Sequence, residues 1–299
     1  MTNAPVGGII PPMVSPLDAA GVPDPEALRS EVEYLLAQGV HGLCVTGSTG
    51  EGAALDDAAV ATVARTVVAA VRGRVPVLGG VIRNSTAAAV RCAAGLAEAG
   101  VDGLQVTPVH YLFTPDADAT VRYFAAVGRV GRPVYIYNVI PWAFLDPAVL
   151  LRVMAEVPAV RGVKQSGGDL HKLADLLAGL DAEHVVLSAV DDLLFPSFLL
   201  GAHGAIAAVL TCAPRLAVRL WDACRAGRIA EARRLHAALL PVWRALEGPN
   251  MPARLKVALA LQGRRGGLPA EPQAAVTDEQ RLGLAAALQQ AEVAATRGA

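Results

Sequence analysis

Eight short apolar segments alternate with amphipathic segments along residues 1–225, and this alternation is the feature that most restricts the fold. The apolar segments are typical of strands, and the Ala-, Leu-, Val- and Arg-rich segments between them are typical of helices. Strands that alternate with helices form right-handed crossovers and a parallel sheet. The eight strands are predicted at residues 8–13, 42–46, 75–81, 103–107, 133–139, 160–164, 184–189 and 204–209.

Eight strand–helix units in a chain of 299 residues favour an α/β fold of the closed (β/α)8 TIM barrel type over an open doubly wound sheet. Neither G-x-G-x-x-G after the first strand nor G-x-x-x-x-G-K-S/T is present, which argues against the open nucleotide-binding alternative. After residue 225 only helical segments follow. We therefore predict a catalytic barrel domain at residues 1–225 and a C-terminal helical extension at residues 226–299 that packs on it.

Charge and hydropathy limit the partners. The net charge is −1, charged residues make up 18% of the chain and the mean hydropathy is +0.42. The charges are mixed in sign, so the sequence offers neither a basic stripe for nucleic acid nor a polybasic segment for a membrane. The longest uncharged run, 193–214, is broken by Pro196 and two glycines and is interpreted as buried helix, turn and strand. We expect small molecules or further copies of the chain as partners.

The N-terminus and the cysteines indicate the compartment. The first 16 residues have no positively charged start and no apolar stretch of signal-peptide length, so we expect a cytoplasmic protein. Four cysteines and six histidines are scattered without a C-x-x-C pair or metal-ligand spacing. We therefore expect reduced cysteines and no metal site.

Lys164 stands out because only three of the 26 positively charged side chains are lysines. It ends the predicted sixth strand, and barrels of this type carry their active sites at the C-terminal ends of the strands. Burial lowers the pKa of an amine and makes it a nucleophile for a carbonyl carbon, whereas arginine stays protonated. Lys164 is therefore either a Schiff-base nucleophile or a buried cation paired with a carboxylate such as Asp191 or Glu51.

Two further strand ends carry polar groups. The second is followed by Gly47-Ser48-Thr49-Gly50, whose N–H groups and hydroxyls could surround a carboxylate, although the same pattern is common in simple tight turns. On the fifth strand Tyr135 and Tyr137 share one face. Either phenol could lie at the mouth as a general acid and base, or could only pack there.

Taken together, these motifs resemble those of the dihydrodipicolinate synthase and N-acetylneuraminate lyase family. The resemblance extends from about residue 8 to the C-terminal helices. The motifs that carry it, in order, are Gly47-Ser48-Thr49-Gly50-Glu51, Val106-Thr107-Pro108, Tyr137-Asn138-Val139, Gly162-Val163-Lys164 with Gly167-Gly168-Asp169, and Gly201-Ala202-His203-Gly204-Ala205-Ile206.

The resemblance implies a lyase that binds a 2-oxo acid such as pyruvate as an imine on Lys164, with no separate cofactor. It also implies a homodimer or homotetramer, in which a neighbouring subunit lends a tyrosine to a proton relay. The residues implied as catalytic are Lys164, Tyr137, Thr49, His110 and Tyr111. Those implied as substrate-binding are Gly47, Ser48, Thr49, Ile206 through its carbonyl group, Trp142 and Ala189.

The chain departs from the family pattern at several places. His110 occupies the position of the lent tyrosine and Tyr111 follows it, so the relay could run through an imidazole, through a shifted phenol, or not at all. Ile140 is inserted before Pro141. Ala189 stands where the family commonly has glycine.

The segment after Pro141 bears on the acceptor substrate. In the synthase branch of the family an arginine in this segment binds the carboxylate of aspartate semialdehyde, whereas this chain has Trp142 and Phe144. We therefore expect an acceptor or cleaved aldehyde that is bulkier or more apolar than aspartate semialdehyde. The alternatives are an authentic 4-hydroxy-tetrahydrodipicolinate synthase and a non-catalytic barrel that only binds a ligand.

Overall fold

The strands form one eight-stranded parallel sheet with the order β1-β8-β7-β6-β5-β4-β3-β2. The computed structural model describes residues 6–296. Each strand is short, and all strand residues except Arg161 are buried, as expected for a sheet with helices outside and side chains filling its interior. The strands are β1 Gly8–Ile9, β2 Leu43–Val45, β3 Val77–Val81, β4 Gly103–Val106, β5 Val134–Asn138, β6 Val160–Gln165, β7 Val185–Ser188 and β8 Gly204–Ala205.

The sheet closes into a cylinder at the β1–β2 seam. The seam contains a single parallel bridge, between Pro12 and Cys44. Cys44 N donates to Pro11 O at 3.0 Å, and Met13 N donates to Cys44 O at 2.8 Å. The predicted (β/α)8 barrel is confirmed.

Twelve α-helices are present in residues 6–296. Three of those between the strands begin directly after Asp56, Ser85 and Asp169, because the side chain of each of these N-caps accepts a backbone hydrogen bond from the first turn of its helix. None of the helices in this range combines the length and apolarity needed to cross a bilayer. The helices are α1 Pro25–Ala37, α2 Asp57–Val71, α3 Thr86–Glu98, α4 Ala117–Gly128, α5 Pro147–Glu156, α6 Leu170–Ala178, α7 Leu194–Leu200, α8 Val209–Cys212, α9 Pro214–Arg225, α10 Ile229–Leu246, α11 Met251–Leu261 and α12 Asp278–Thr296.

The predicted eighth strand is wrong beyond Ala205. Val209 begins the short helix α8, because its N–H donates to the buried Asp191 Oδ1 at 2.7 Å. Thr211 Oγ1 donates to Pro12 O at 2.9 Å and fixes this helix beside the seam. The strand prediction extended too far because the apolar sequence continues without a break beyond Ala205.

Two main apolar cores support the barrel. One lies between the strands and helices α1 to α6, and the other joins α7, α8 and α9 to the C-terminal helices α10, α11 and α12. The C-terminal helices thus share a core with the last helices of the barrel. The division at residues 225 and 226 stays a prediction, and its outer limits, residues 1 and 299, lie outside the described residues.

Candidate active site

Lys164 lies inside the barrel near the C-terminal end of β6. The residue is 4% exposed, and its Nζ lies 3.8 Å from the centroid of the Tyr137 ring. Within residues 6–296 no carboxylate forms an ion pair with it. The amine therefore has an aromatic neighbour and no fixed counter-ion, which leaves it free to act as a nucleophile for a carbonyl carbon.

The two carboxylates that could have paired with Lys164 are bound to other groups. Glu51 forms a buried ion pair with Lys256, and its Oε1 accepts a hydrogen bond from Ala270 N at 2.7 Å. Asp191 accepts its hydrogen bond from Val209. Among the residues that the structure describes, the paired-lysine alternative is therefore not realised.

Asp191 still influences the electrostatics of the site. Burial raises the pKa of its carboxyl to about 7, although the hydrogen bond from Val209 and the charge of Lys164 act in the opposite direction. A carboxyl with this pKa carries a proton part of the time near neutral pH.

The structure distinguishes the two tyrosines of β5. The Tyr137 hydroxyl donates to Ser48 Oγ at 3.1 Å, which joins β5 to the loop after β2. The Tyr135 hydroxyl instead accepts a hydrogen bond from Val6 N at 3.0 Å, at the N-terminal end of the barrel. Tyr137 is therefore the phenol beside Lys164.

Close backbone packing fixes the loop with Gly47, Ser48 and Thr49. Thr46 has a φ of 54°, and its carbonyl oxygen lies so near Gly52 that a Cβ there would stand 1.8 Å away. Thr49 is buried and Ser48 is exposed. The loop thus offers one buried and one accessible hydroxyl on a fixed backbone, and its predicted role in carboxylate binding stays a prediction.

Ala189 and Ile206 directly follow the last two strands, β7 and β8. Ile206 is fully buried, and its N–H donates to Ser188 O at 2.9 Å. Ala189 is half-buried and its N–H donates to Gln165 O at 2.9 Å. Both lie on strand ends near Lys164, and their predicted contacts with a substrate stay predictions.

His110, Tyr111 and Trp142 lie together at the rim. Asn84 Oδ1 accepts hydrogen bonds from His110 N at 3.2 Å and from Tyr111 N at 2.9 Å. Trp142 Nε1 donates to His110 O at 2.9 Å. Tyr111 and Trp142 are 74% and 70% exposed. The described contacts join these residues to one another and to Asn84, and none of them reaches Lys164, so their predicted roles stay predictions.

The contact between Asn138 and Gln165 was missed by sequence reasoning. Asn138 Nδ2 donates to Gln165 Oε1 at 2.9 Å and to Leu145 O at 3.0 Å, and its Oδ1 accepts from Leu145 N at 2.9 Å. These bonds hold the segment that carries the inserted Ile140 against the end of β6. The signals in the sequence were the Tyr137-Asn138-Val139 motif and an amide at the end of each of two neighbouring strands.

A buried lysine at the end of the sixth strand of a (β/α)8 barrel, with a phenol beside it, is the arrangement of a lysine-dependent lyase. A model of the dihydrodipicolinate synthetase family matches residues 5–291. The chain belongs to this family, whose members are lyases that form a Schiff base with pyruvate.

Individual relatives agree with this assignment. The 4-hydroxy-tetrahydrodipicolinate synthase of Symbiobacterium thermophilum is 35% identical over 291 residues, which cover 96% of this chain and 98% of the relative. The E. coli K12 prophage protein YagE, solved in complex with pyruvate, has a TM-score of 0.90 and 28% identity, covering 96% of this chain and 98% of its own. A sialic acid aldolase of Ruminococcus gnavus has a TM-score of 0.90 and 26% identity, covering 97% and 98%.

Proposed function

We propose that the protein is a class I aldolase that activates pyruvate or a close 2-oxo acid as an imine on Lys164. The observation that carries the proposal is the buried Nζ of Lys164, which lies over the Tyr137 ring and has no carboxylate partner within residues 6–296. The structure of YagE with pyruvate supports the choice of ligand.

The geometry supports a sequence of proton transfers around Lys164. The amine attacks the C2 carbonyl carbon, and loss of water from the adduct gives an imine. The imine withdraws electrons, so a proton leaves C3 and the resulting enamine attacks the carbonyl carbon of an aldehyde. The Tyr137 hydroxyl, linked to Ser48 Oγ at 3.1 Å, is placed to take up and return these protons. Water finally releases the product and restores the amine.

The relatives favour aspartate semialdehyde as the acceptor. Curated relatives that align with 87–96% of the chain are named 4-hydroxy-tetrahydrodipicolinate synthase. They do not support our expectation of a different acceptor, and they favour the synthase alternative. We therefore take 4-hydroxy-tetrahydrodipicolinate synthase as the leading candidate reaction.

One observation favours a second candidate, an aldolase for a more apolar aldehyde. Trp142 occupies the segment in which a synthase would carry its arginine, and its Nε1 is bound to His110 O. The cations at three neighbouring segments are already paired: Arg83 with Asp57 at 2.8 Å, Lys172 with Asp146 at 2.6 Å and Arg244 with Asp192 at 2.8 Å. A carboxylate on the acceptor would lack a charge-assisted partner among these groups.

Borohydride trapping tests the proposed imine. The protein is incubated with pyruvate and reduced, and the modified peptide is located by mass spectrometry. We expect the adduct on Lys164 and none in Lys164→Arg, which keeps the charge but has no nucleophilic amine. An adduct on another residue, or none with any of several 2-oxo acids, would leave the ligand-binding barrel as the better interpretation.

A second assay separates the two candidate reactions. Pyruvate consumption is compared with aspartate semialdehyde and with aliphatic and aromatic aldehydes as acceptors. Synthase-like efficiency with aspartate semialdehyde establishes the first candidate. A preference of tenfold or more for an apolar aldehyde, about 1.4 kcal/mol in transition-state binding, establishes the second.

Assembly, location and cofactor use belong to the same proposal. We propose a homodimer or homotetramer located in the cytoplasm that needs no cofactor beyond Lys164. Sedimentation measures the assembly, and cell fractionation measures the location. Activity that persists after dialysis against a chelator tests the independence from a cofactor.

A further inference from the structure

A buried amide lies in the barrel interior near Lys164. Gln105 on β4 is fully buried, and its Oε1 accepts a hydrogen bond from Cys44 Sγ at 3.4 Å. Its Nε2 has no hydrogen-bond partner in residues 6–296. Buried amide donors are nearly always satisfied in folded proteins, so this N–H needs an explanation.

The strand registers place Gln105 at the same level as Lys164. In a (β/α)8 barrel the inward side chains of alternate strands form layers of four. Because the strands of a closed barrel are tilted, residues at one level are shifted by one position from each strand to the next. With this shift, the observed registers put Cys44, Gln105, Lys164 and Ile206 in one layer. Burial raises the pKa of the Cys44 thiol to about 11, and the charge of Lys164 opposes this rise. The effect of Lys164 on the thiol agrees with the placement of both residues in one layer.

The free N–H also lies beside the loop that follows β2. A Cβ built on Gly47 would stand 3.3 Å from Gln105 Nε2. A Cβ on Gly80 would stand only 2.7 Å from Gly47 N, so the absence of a side chain there lets the loop backbone approach the barrel wall. Gln105 Nε2 is thus next to the backbone that leads into Ser48 and Thr49, and in the layer of Lys164.

We propose that Gln105 Nε2 donates a hydrogen bond to the carboxylate of the 2-oxo acid, as a third carboxylate-binding side chain beside Ser48 and Thr49. This inference rests on the function proposed above. A buried donor without a partner is unfavourable, and an anionic oxygen that reaches it removes that cost and forms a charge-assisted bond. Gln105 therefore makes the site selective for 2-oxo acids over ketones without a carboxylate.

The test compares two ligands in borohydride trapping, pyruvate and acetone, in wild type and in Gln105→Leu. The substitution removes the amide and leaves an apolar side chain in a layer that already holds Ile206, so the fold should persist. We expect the pyruvate concentration for half-maximal trapping to rise about tenfold or more, and the value for acetone to stay unchanged. Gln105→Met, which keeps the length of the side chain, should behave in the same way.

Cys44→Ser is the matched control in the same layer. It keeps a donor for Gln105 Oε1, so both half-saturation values should stay within about twofold of wild type. Melting temperatures of all variants check that they are folded. In a crystal structure with pyruvate, a carboxylate oxygen should lie within hydrogen-bond distance of Gln105 Nε2.

Three outcomes would overturn the inference. Equal losses for pyruvate and acetone would make Gln105 a structural residue, and an unchanged value for pyruvate would remove it from the site. A crystal structure with pyruvate in which Gln105 Nε2 contacts only water would also remove Gln105 from the site. Absence of any adduct in wild type is a distinct result, since it rejects the proposed function and the role of Gln105 with it.

Discussion

At the scale of single residues, the two tyrosines of β5 have different roles: we expect Tyr137 to take part in the reaction and Tyr135 only to pack. Both are buried on the same face of the strand, but only Tyr137 contacts Lys164 and Ser48. Tyr135 bonds to Val6 at the other end of the barrel. The pair therefore offers matched variants in which one phenol oxygen is removed and the ring stays.

Tyr137→Phe should lower kcat by about 10²- to 10³-fold, because the enamine step loses its proton carrier. The KM for pyruvate should change much less, since the ring remains beside Lys164. Steady-state kinetics measure both. Tyr135→Phe, the control, should lower the melting temperature and leave kcat nearly unchanged. Equal effects of the two variants on kcat would contradict the assignment.

Asp191 should make the stability depend on pH. Its pKa is raised from 3.8 to about 7, so between these values the folded protein holds a proton that the unfolded chain releases. This group therefore stabilises the fold at low pH, and its contribution is lost as the pH rises from about 4 to about 7.

We expect Asp191→Asn to remove this loss, which is at most a few kcal/mol. Urea unfolding at about pH 5 and about pH 7.5 measures the free energy of unfolding of both proteins. Asp175→Asn serves as a control at an exposed position on α6 and should keep the wild-type slope. The same slope in Asp191→Asn and wild type would disprove the assignment.

At the scale of elements, a buried ion pair joins the C-terminal extension to the loop of the candidate site. Lys256 on α11 pairs with Glu51, and both side chains are almost fully buried. Lys256 Nζ also donates to Leu268 O at 2.6 Å. Burial lowers the pKa of Lys256, and the charge of Glu51 opposes that effect. The extension thus anchors the loop that carries Ser48 and Thr49.

Lys256→Met should lower the free energy of unfolding by about 3–5 kcal/mol, because it leaves the Glu51 carboxylate buried without a cation. Adding Glu51→Gln should restore part of the loss. Chemical denaturation measures both. The exposed pair of Lys172 and Asp146 is the control, and Lys172→Met should cost about 0–1 kcal/mol.

The sequence predicts elements well where the pattern is local. The strand–helix order and the lysine at the end of β6 depend on neighbours in the chain and were both recoverable. The end of β8 was not, because a carboxylate eighteen residues earlier, that of Asp191, takes the Val209 N–H. The Lys256–Glu51 pair was missed for the same reason, since no local pattern joins residues so far apart. Gln105 had no signal beyond being an amide inside an apolar strand.

At the scale of the whole molecule, the rim carries a cluster of exposed apolar side chains. Tyr111, Leu112, Phe113 and Trp142 are 70–78% exposed. Large side chains grouped in this way are typical of surfaces that another protein covers. The cluster is where we expect the predicted homo-oligomer to form its contact.

Replacing Phe113 with Asp should shift the assembly toward smaller species, because a charge at an apolar contact loses its hydration without gaining a partner. Analytical ultracentrifugation over a range of protein concentrations measures the shift. Leu282→Asp is the control on α12, where a single leucine is 72% exposed outside the cluster. Identical sedimentation of wild type and the Phe113 variant would place the contact elsewhere.

The seam between β1 and β2 has a consequence for how the molecule opens. Two prolines, Pro11 and Pro12, offer no N–H there, so a few backbone bonds replace a full ladder where the cylinder is joined. Deuterium uptake by native amides should be fastest along this joint. Since β2 leads into Gly47, a 2-oxo acid bound to that loop would hold the β1–β2 seam closed. Slower deuterium exchange of the seam amides would then report that the site is occupied, without any turnover.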